Sequence, residues 1–262
     1  MKIYEYYRDS ANLTLNGGLL ALFPAMFIVL GNILILHQKI LMLLCIPFIV
    51  YSFLSYQLYR NKTRDGISIK KNMLSNGTSY SHLFSSRYLL VLFLPAITPS
   101  VKLFYPDGNL AGEISPVSRK LSDFISSTRK YILTDQYSSV RGSFRVKNKN
   151  SLEIEVWNEM GKYAGKYRKR KRPGLKKVKK ELFESNGCFL AEIKGAAFFM
   201  DEQIIMPDNE SIGRLRRGWM PVEWSSIFPD SNTPVLTLNP NKNSNINLLA
   251  ISVLINEFFI DR

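Results

Sequence analysis

Leu103-Phe-Tyr-Pro-Asp-Gly-Asn-Leu-Ala-Gly-Glu-Ile114 reads as a strand, a tight turn and a second strand. The same form returns at Val156-Trp-Asn-Glu-Met-Gly-Lys-Tyr-Ala-Gly-Lys-Tyr167. It returns again at Ile205-Met-Pro-Asp-Asn-Glu-Ser-Ile-Gly-Arg-Leu215. Gly108, Gly161 and Asn209 hold the same turn position, where a positive φ costs Gly and Asn least. Gly112, Gly165 and Gly213 follow at a fixed offset and read as bends or bulges within the returning strand. Each segment is thus expected to be a β-hairpin, and three in succession suggest a meander able to close into a barrel. Around them, from about Leu83 onward, short apolar runs rich in β-branched and aromatic residues alternate with Pro, Gly, Asp and Asn. Tyr88 to Leu94 is the most apolar of these runs. It is too short to span a bilayer and reads as a buried strand.

The C-terminal run Leu248 to Ile260 is apolar nearly all the way round and follows an Asn-rich stretch able to cap a helix. A helix with no polar face must be surrounded by protein. The expectation is a helix over about 247–260 threaded through the barrel, with Leu249, Val253 and Phe259 buried. A buried final strand is the competing reading.

The N-terminal end is of another kind. Gly17 to Leu36 and Ile40 to Tyr59 carry no Asp, Glu, Lys or Arg. About twenty residues at 1.5 Å each span roughly 30 Å, the thickness of the hydrocarbon core. The break between them is His37-Gln38-Lys39. Residues 1–60 are therefore expected to form a membrane hairpin with helices at about 17–36 and 40–59. Residues 61–82 read as a polar linker, and 83–262 as the β domain. Arg60, Lys62, Arg64, Lys70 and Lys71 flank the second helix, and Lys2 and Arg8 the first, against Lys39 alone in the turn. The positive-inside rule then places both termini in the cytoplasm of a multi-pass cell-membrane protein.

The chain has 262 residues and a net charge of +14, with 35 Lys and Arg against 21 Asp and Glu. That balance favours anionic partners. The densest basic run holds Lys162, Lys166, Arg168, Lys169, Arg170, Lys171, Arg172, Lys176, Lys177, Lys179 and Lys180, without an acid between Glu159 and Glu181. It reads as a long loop or a charged hairpin tip, broken by Pro173-Gly174. Presented to an anionic leaflet, each such side chain contributes about 1 kcal/mol. A second cluster, Arg214, Arg216 and Arg217 beside Trp219 and Trp224, reads either as an anion pocket or as solvent-facing arginines with the tryptophans plugging the barrel. Few aromatics interleave the basic run, which disfavours nucleic acid.

Two histidines, two cysteines far apart, and no phosphate loop, nucleophile elbow or metal-binding His pair leave catalysis without a signature. No cofactor, metal or catalytic residue is assigned, and the expectation is a non-enzymatic protein. Its expected partners are the membrane and anionic phospholipids. The alternatives are an acidic protein partner or a lipid-moving role.

The hairpins carrying Asp107-Gly108 and Gly112, Gly161 and Gly165, and Asp208 and Gly213, followed by the apolar C-terminal helix, resemble the tubby-like superfamily. That group comprises tubby C-terminal domains, phospholipid scramblases and LURP-one-related proteins. The resemblance covers about residues 85–262. It implies a closed twelve-stranded antiparallel β-barrel around a hydrophobic helix. The cysteine-rich and calcium-loop segments of scramblases are missing here, which argues against scrambling by their arrangement.

Overall fold

Alternating apolar and polar side chains from Tyr88 onward build twelve strands in the computed structural model, which describes residues 1–73, 82–117, 128–148, 151–171, 178–195 and 200–261. They are β1 (Tyr88–Leu94), β2 (Ser100–Phe104), β3 (Leu110–Pro116), β4 (Thr128–Asp135), β5 (Val140–Asn148) and β6 (Leu152–Asn158). There follow β7 (Tyr163–Lys171), β8 (Val178–Glu184), β9 (Phe189–Gly195), β10 (Asp201–Ile205), β11 (Ser211–Arg216) and β12 (Val235–Leu238). Each pairs antiparallel with its neighbours in sequence, and β12 pairs with β1, closing the barrel. Closure leaves no open edge to template association.

One turn, used five times, sets the register. In each, a residue at or just past the strand's end donates its N–H to the carbonyl four residues on, and the residue three on donates back. Examples are Tyr105 with Asn109 and Gly108, and Asn158 with Lys162 and Gly161. Asp135–Ser139, Glu184–Cys188 and Met206–Glu210 repeat it. The positive-φ residue is Gly108, Ser138, Gly161, Gly187 or Asn209. Each turn adjoins a bulge, at Leu103/Phe104, Leu133/Thr134, Val156/Trp157, Leu182/Phe183 and Ile204/Ile205. The three hairpins legible in the sequence are confirmed. The other two were hidden, one by Ser138 at the turn and one by Ala191 where its siblings have Gly.

The C-terminal run is a helix, not a strand. α4 spans Ser244–Ile255 and continues through a wider π turn to Ile260. The Asn243 side chain caps it, accepting the Asn245 N–H at 3.1 Å. Every α4 residue from Asn247 to Ile255 is buried, within one cluster with the inward faces of the strands. Some polar groups inside are satisfied locally, while Asn247 Oδ1 and Tyr167 Oη are buried without a hydrogen-bond partner among the described residues. Ser252 Oγ donates to Leu249 O at 2.6 Å, and Asn247 Nδ2 donates to Asn239 O at 3.1 Å. Leu249 and Val253 are buried as expected. Phe259 is only half-buried, because the helix is emerging there, and it packs against Tyr131 and Phe93 at the barrel end.

Where β5 meets the helix, only glycine fits. A Cβ on Gly142 would lie 2.7 and 2.8 Å from the Leu248 methyls and 3.1 Å from Trp157 O. The barrel wall and its central helix are in van der Waals contact at this point.

A smaller apolar layer covers part of the outside. Phe104, Leu90 and Val235 sit side by side across β2, β1 and β12 and are buried, yet face away from the central cluster. Ile227 and Phe228, from the segment between β11 and β12, are also buried outside that cluster.

Residues 1–75 form a separate unit. α1 (Ile3–Leu20), α2 (Leu22–Gly31) and a π turn to Leu36 run on from one another. A left-handed His37 follows, and then a 3₁₀ stretch (Lys39–Cys45) leading into α3 (Ile46–Met73). The break falls at His37-Gln38, as expected, and is tied by Gln38 N–H donating to Asn32 Oδ1 at 2.8 Å. The helices run well beyond the expected 17–36 and 40–59. In particular, 61–73 is the end of α3 rather than linker; 74–81 lie outside the described residues. The physical reason is packing beyond the apolar window. Ile3, Tyr6, Tyr7, Ser10 and Ala11 make a buried stripe at helical spacing on α1. Gly66 of α3 lies against Tyr4 and Tyr7, and Lys62 Nζ donates to Ser10 Oγ and Thr14 Oγ1 at 2.9 and 3.0 Å. Ile3–Ile35 and Lys39–Met73 are each long and apolar enough to cross a bilayer. On either side of the His37 break they expose Phe27, Leu34, Ile35, Ile40 and Leu43.

Candidate functional site

The basic run lies mostly on two paired strands, the hairpin of the two readings rather than the long loop. β7 and β8 pair down to Lys171 opposite Val178. Lys171 is the last residue of β7, and Arg172, Lys176 and Lys177 lie outside the described residues. Strand alternation divides the rest. Tyr167 and Lys169 point inward, while Lys166, Arg168 and Arg170 point out.

The outward side chains form rows across the sheet. One row runs Lys130, Arg145, Glu155, Lys166. The next runs Lys147, Glu153, Arg168, Glu181, Glu192. Acids interleave, so several of the basic residues are already paired. Lys166 meets Glu153 at 3.3 Å, Arg168 meets Glu181 at 3.3 Å, and Lys179 meets Glu181 at 2.7 Å. Burial pushes the Glu181 carboxyl up, but Lys179 and Arg168 beside it outweigh this and hold it below its usual range. Arg170 stands directly opposite Lys179, a like-charge pair. Lys162 and Arg170 are exposed and, among the described residues, without an ion-pair partner.

The inward lysines do other work. Lys169 and Lys180 also face each other across β7 and β8, and carboxylates from the end of the central helix and from β10 neutralise them. Lys169 Nζ donates to Asp261, at 2.6 Å to Oδ2. Lys180 Nζ donates to Glu202 and, at 2.8 Å, to Glu257. Asn256 Nδ2 bridges Glu257 and Asp261 at 2.6 and 2.7 Å. Burial alone would depress Lys180, but its two glutamates raise it above the ordinary lysine value. Glu202 is pushed up by burial and by Glu257, against the pull of Lys180. This network ties the helix end to the barrel wall. It removes Lys169 from the set of surface cations.

The Arg214 cluster sits elsewhere, since β8, β9 and β10 separate β7 from β11. The two basic sets are therefore not one site. Arg214 and Arg216 line a groove of about 610 Å³ over the outer faces of β10, β11, β12 and β1, together with Arg87, Tyr88, Gln203 and Thr237. Arg214 is gripped by Asp201, through Nε at 2.6 Å and Nη2 at 2.7 Å, and this hydrogen bonding depresses the Asp201 carboxyl. The Arg216 guanidinium lies over the Trp219 ring, 4.8 Å from its centroid, and Arg87 lies 5.6 Å over Tyr88. Trp224 meets Tyr88 edge-on at 5.5 Å. The tryptophans do not plug the barrel; Trp219 is 65% exposed and the plug is α4. Arg217 is exposed and outside the groove, its backbone N–H donating to Met200 O. Gln203 and Thr237 flank Arg214 through the β10–β11 and β11–β12 pairings, and Arg87 arrives only through the β12–β1 closure, so none of the three was marked in the sequence.

Among the described residues, no group of three or more His, Cys, Asp or Glu could hold a metal ion. Both cysteines are free.

Fold and sites thus define the class: a closed twelve-stranded antiparallel barrel around its C-terminal helix, preceded by two apolar helical stretches. No protein-family model matches the chain, and no curated protein does. Among solved structures, a crystal structure of an Arabidopsis thaliana protein is similar, at 12% identity and a TM-score of 0.44. The match covers 71% of this chain and 100% of that one.

Proposed function

We propose that this chain is a membrane-tethered, non-enzymatic barrel of the tubby-like kind that engages anionic phospholipid headgroups through the β7–β8 hairpin. Residues 1–75 are the anchor, with both ends of the helical pair on the cytoplasmic side. A twelve-stranded barrel closed on a C-terminal helix supports the tubby-like reading.

The observation that carries the headgroup reading is the like-charge pair of Arg170 and Lys179 near the end of the hairpin. Like charges directly opposite on paired strands are destabilising. Elsewhere on this face acids are interleaved. Inside the barrel the equivalent Lys169–Lys180 pair is neutralised by three carboxylates. Lys179 leans on Glu181, while Arg170, like Lys162, lacks an ion-pair partner among the described residues, and Arg172, Lys176 and Lys177 add to it in sequence. An anionic leaflet supplies the missing negative charge, with each basic residue contributing about 1 kcal/mol.

The test is co-sedimentation of residues 76–262 with vesicles of graded phosphatidylserine content. Binding should rise with anionic lipid, fall with salt, and largely vanish in Arg170→Glu/Lys179→Glu. Binding indifferent to lipid charge, or intact after charge reversal, would sink the reading. The anchor is checked separately: the full chain should stay with membranes through an alkaline carbonate wash, and its release would remove the tether.

A further inference from the structure

We propose that the arginine-lined groove across β10, β11, β12 and β1 is a binding site for a terminal phosphate group, that is, a phosphomonoester. The lining supplies positive charge and neutral donors and no acid. Arg87, Arg214 and Arg216 are joined by Ser211, Gln203 and Thr237, and neither Asp nor Glu lines the groove.

The three arginines differ in how they are held. Arg214 is fixed and its charge compensated by the two-pronged contact to Asp201. Arg216 and Arg87 are instead positioned against aromatic faces, Trp219 and Tyr88. Neither has an ion-pair partner among the described residues. A guanidinium stacked on a ring keeps the N–H donors along its edge free, in the planar fork that matches phosphate oxygens. Asp201, hydrogen-bonded to Arg214 and directly opposite Arg216, offsets one of the three positive charges and leaves a net of two. A phosphomonoester near neutral pH carries about −1.5 to −2. A carboxylate would satisfy one fork and leave the other unpaired. The groove, about 610 Å³, falls within the range of roughly 300–1,000 Å³ usual for small-ligand sites. Exposed Lys194 extends the row beyond Arg214 and Gln203.

The site stands apart from the headgroup reading above. It lies on different strands from the β7–β8 hairpin, with β8, β9 and β10 between β7 and β11.

The experiment uses the full chain in phosphatidylcholine nanodiscs, titrated calorimetrically with glycerol 3-phosphate and, at matched ionic strength, with acetate. A parallel arm adds phosphatidic acid to the discs and follows tryptophan emission, the Trp219 share being the part lost in Trp219→Phe, since that ring carries Arg216. Saturable binding of glycerol 3-phosphate but not acetate is expected. Alternatively, a Trp219 response confined to phosphatidic acid assigns the phosphate to a lipid; either arm supports the site. Arg216→Lys and Arg87→Lys keep the charge and lose the fork, and each should weaken binding by about tenfold or more. Arg170→Glu should leave it unchanged, so a failed hairpin and a failed groove give different results. The proposal is overturned if neither probe binds, if acetate binds equally, or if both Lys variants melt like wild type and bind like wild type.

Discussion

Gly142 and Leu248 offer the most direct measurement of whether the helix lies inside the barrel. Leu248 is 1% exposed, and Leu→Ala at such a site costs about 2–5 kcal/mol. Gly142→Ala places a methyl 2.7 and 2.8 Å from the Leu248 methyls, against roughly 3.5–4.0 Å for an ordinary carbon contact. Leu248 must retreat by about an ångström in a filled core, and overpacking of this kind costs about 1–3 kcal/mol. Combined, the two changes relieve each other, because the new methyl enters space vacated by the leucine. The double variant should therefore be less destabilised than the sum of the singles by about 1 kcal/mol or more. All three tryptophans, Trp157, Trp219 and Trp224, lie in the barrel. Tryptophan fluorescence during denaturant unfolding of the full chain in detergent thus reports on the barrel alone. Independent sites add to within about 0.3–0.5 kcal/mol. Additivity within that margin would refute the contact, and with it the placement of this helix face against β5.

Two further outcomes are expected. Gly165→Ala should cost roughly 3 kcal/mol or more, since its φ is +143° and its Cβ would collide with the Phe183 carbonyl. Gly161→Ala meets open space and should cost only about 1–2 kcal/mol; equal losses would show that the bulge at Gly165 is misplaced. On the acid side, Asp135, Glu181, Asp201 and Asp261 all sit below their ordinary values of 3.8 for Asp and 4.5 for Glu. Depressed folded values contribute stability that is present above the ordinary value and lost as pH falls through the folded one. The barrel's Tm should therefore drop as pH falls below about 4.5. Asp135→Asn, which weakens the Arg141 contact at 2.8 Å, should lower Tm at pH 7 and flatten that acid slope. An unchanged slope would assign acid sensitivity to other groups.

Local chemistry was enough to find three of the five turns, the strand at Tyr88–Leu94, the helix at the C-terminus and the two apolar helical stretches. A positive-φ Gly, a β-branched run or an all-apolar helix declares itself within a few residues. Ser138 carries the same turn without the residue type that marks it, so Asp135–Ser139 could be seen only in the fold. The helices overran their apolar windows for a related reason. Tyr6 and Ile69 are held by the packing of α1 and α3, and hydropathy does not register a helix sustained by its partner.

The sites depended on tertiary structure far more. Eleven cations between Lys162 and Lys180 were plain in the sequence, but not which of them remain unpaired. Strand alternation turns Lys169 and Lys180 inward, toward Asp261, Glu202 and Glu257. Register sets Glu153 and Glu181 beside Lys166 and Arg168. Arg214 and Arg216 were visible as a pair, whereas Arg87 joins them only because the first strand closes on the twelfth. Residue type and spacing determine which local structures a chain can form. The neutralisation of charge and the assembly of a groove depend on long-range pairing, because they are properties of neighbours that lie far apart in the chain.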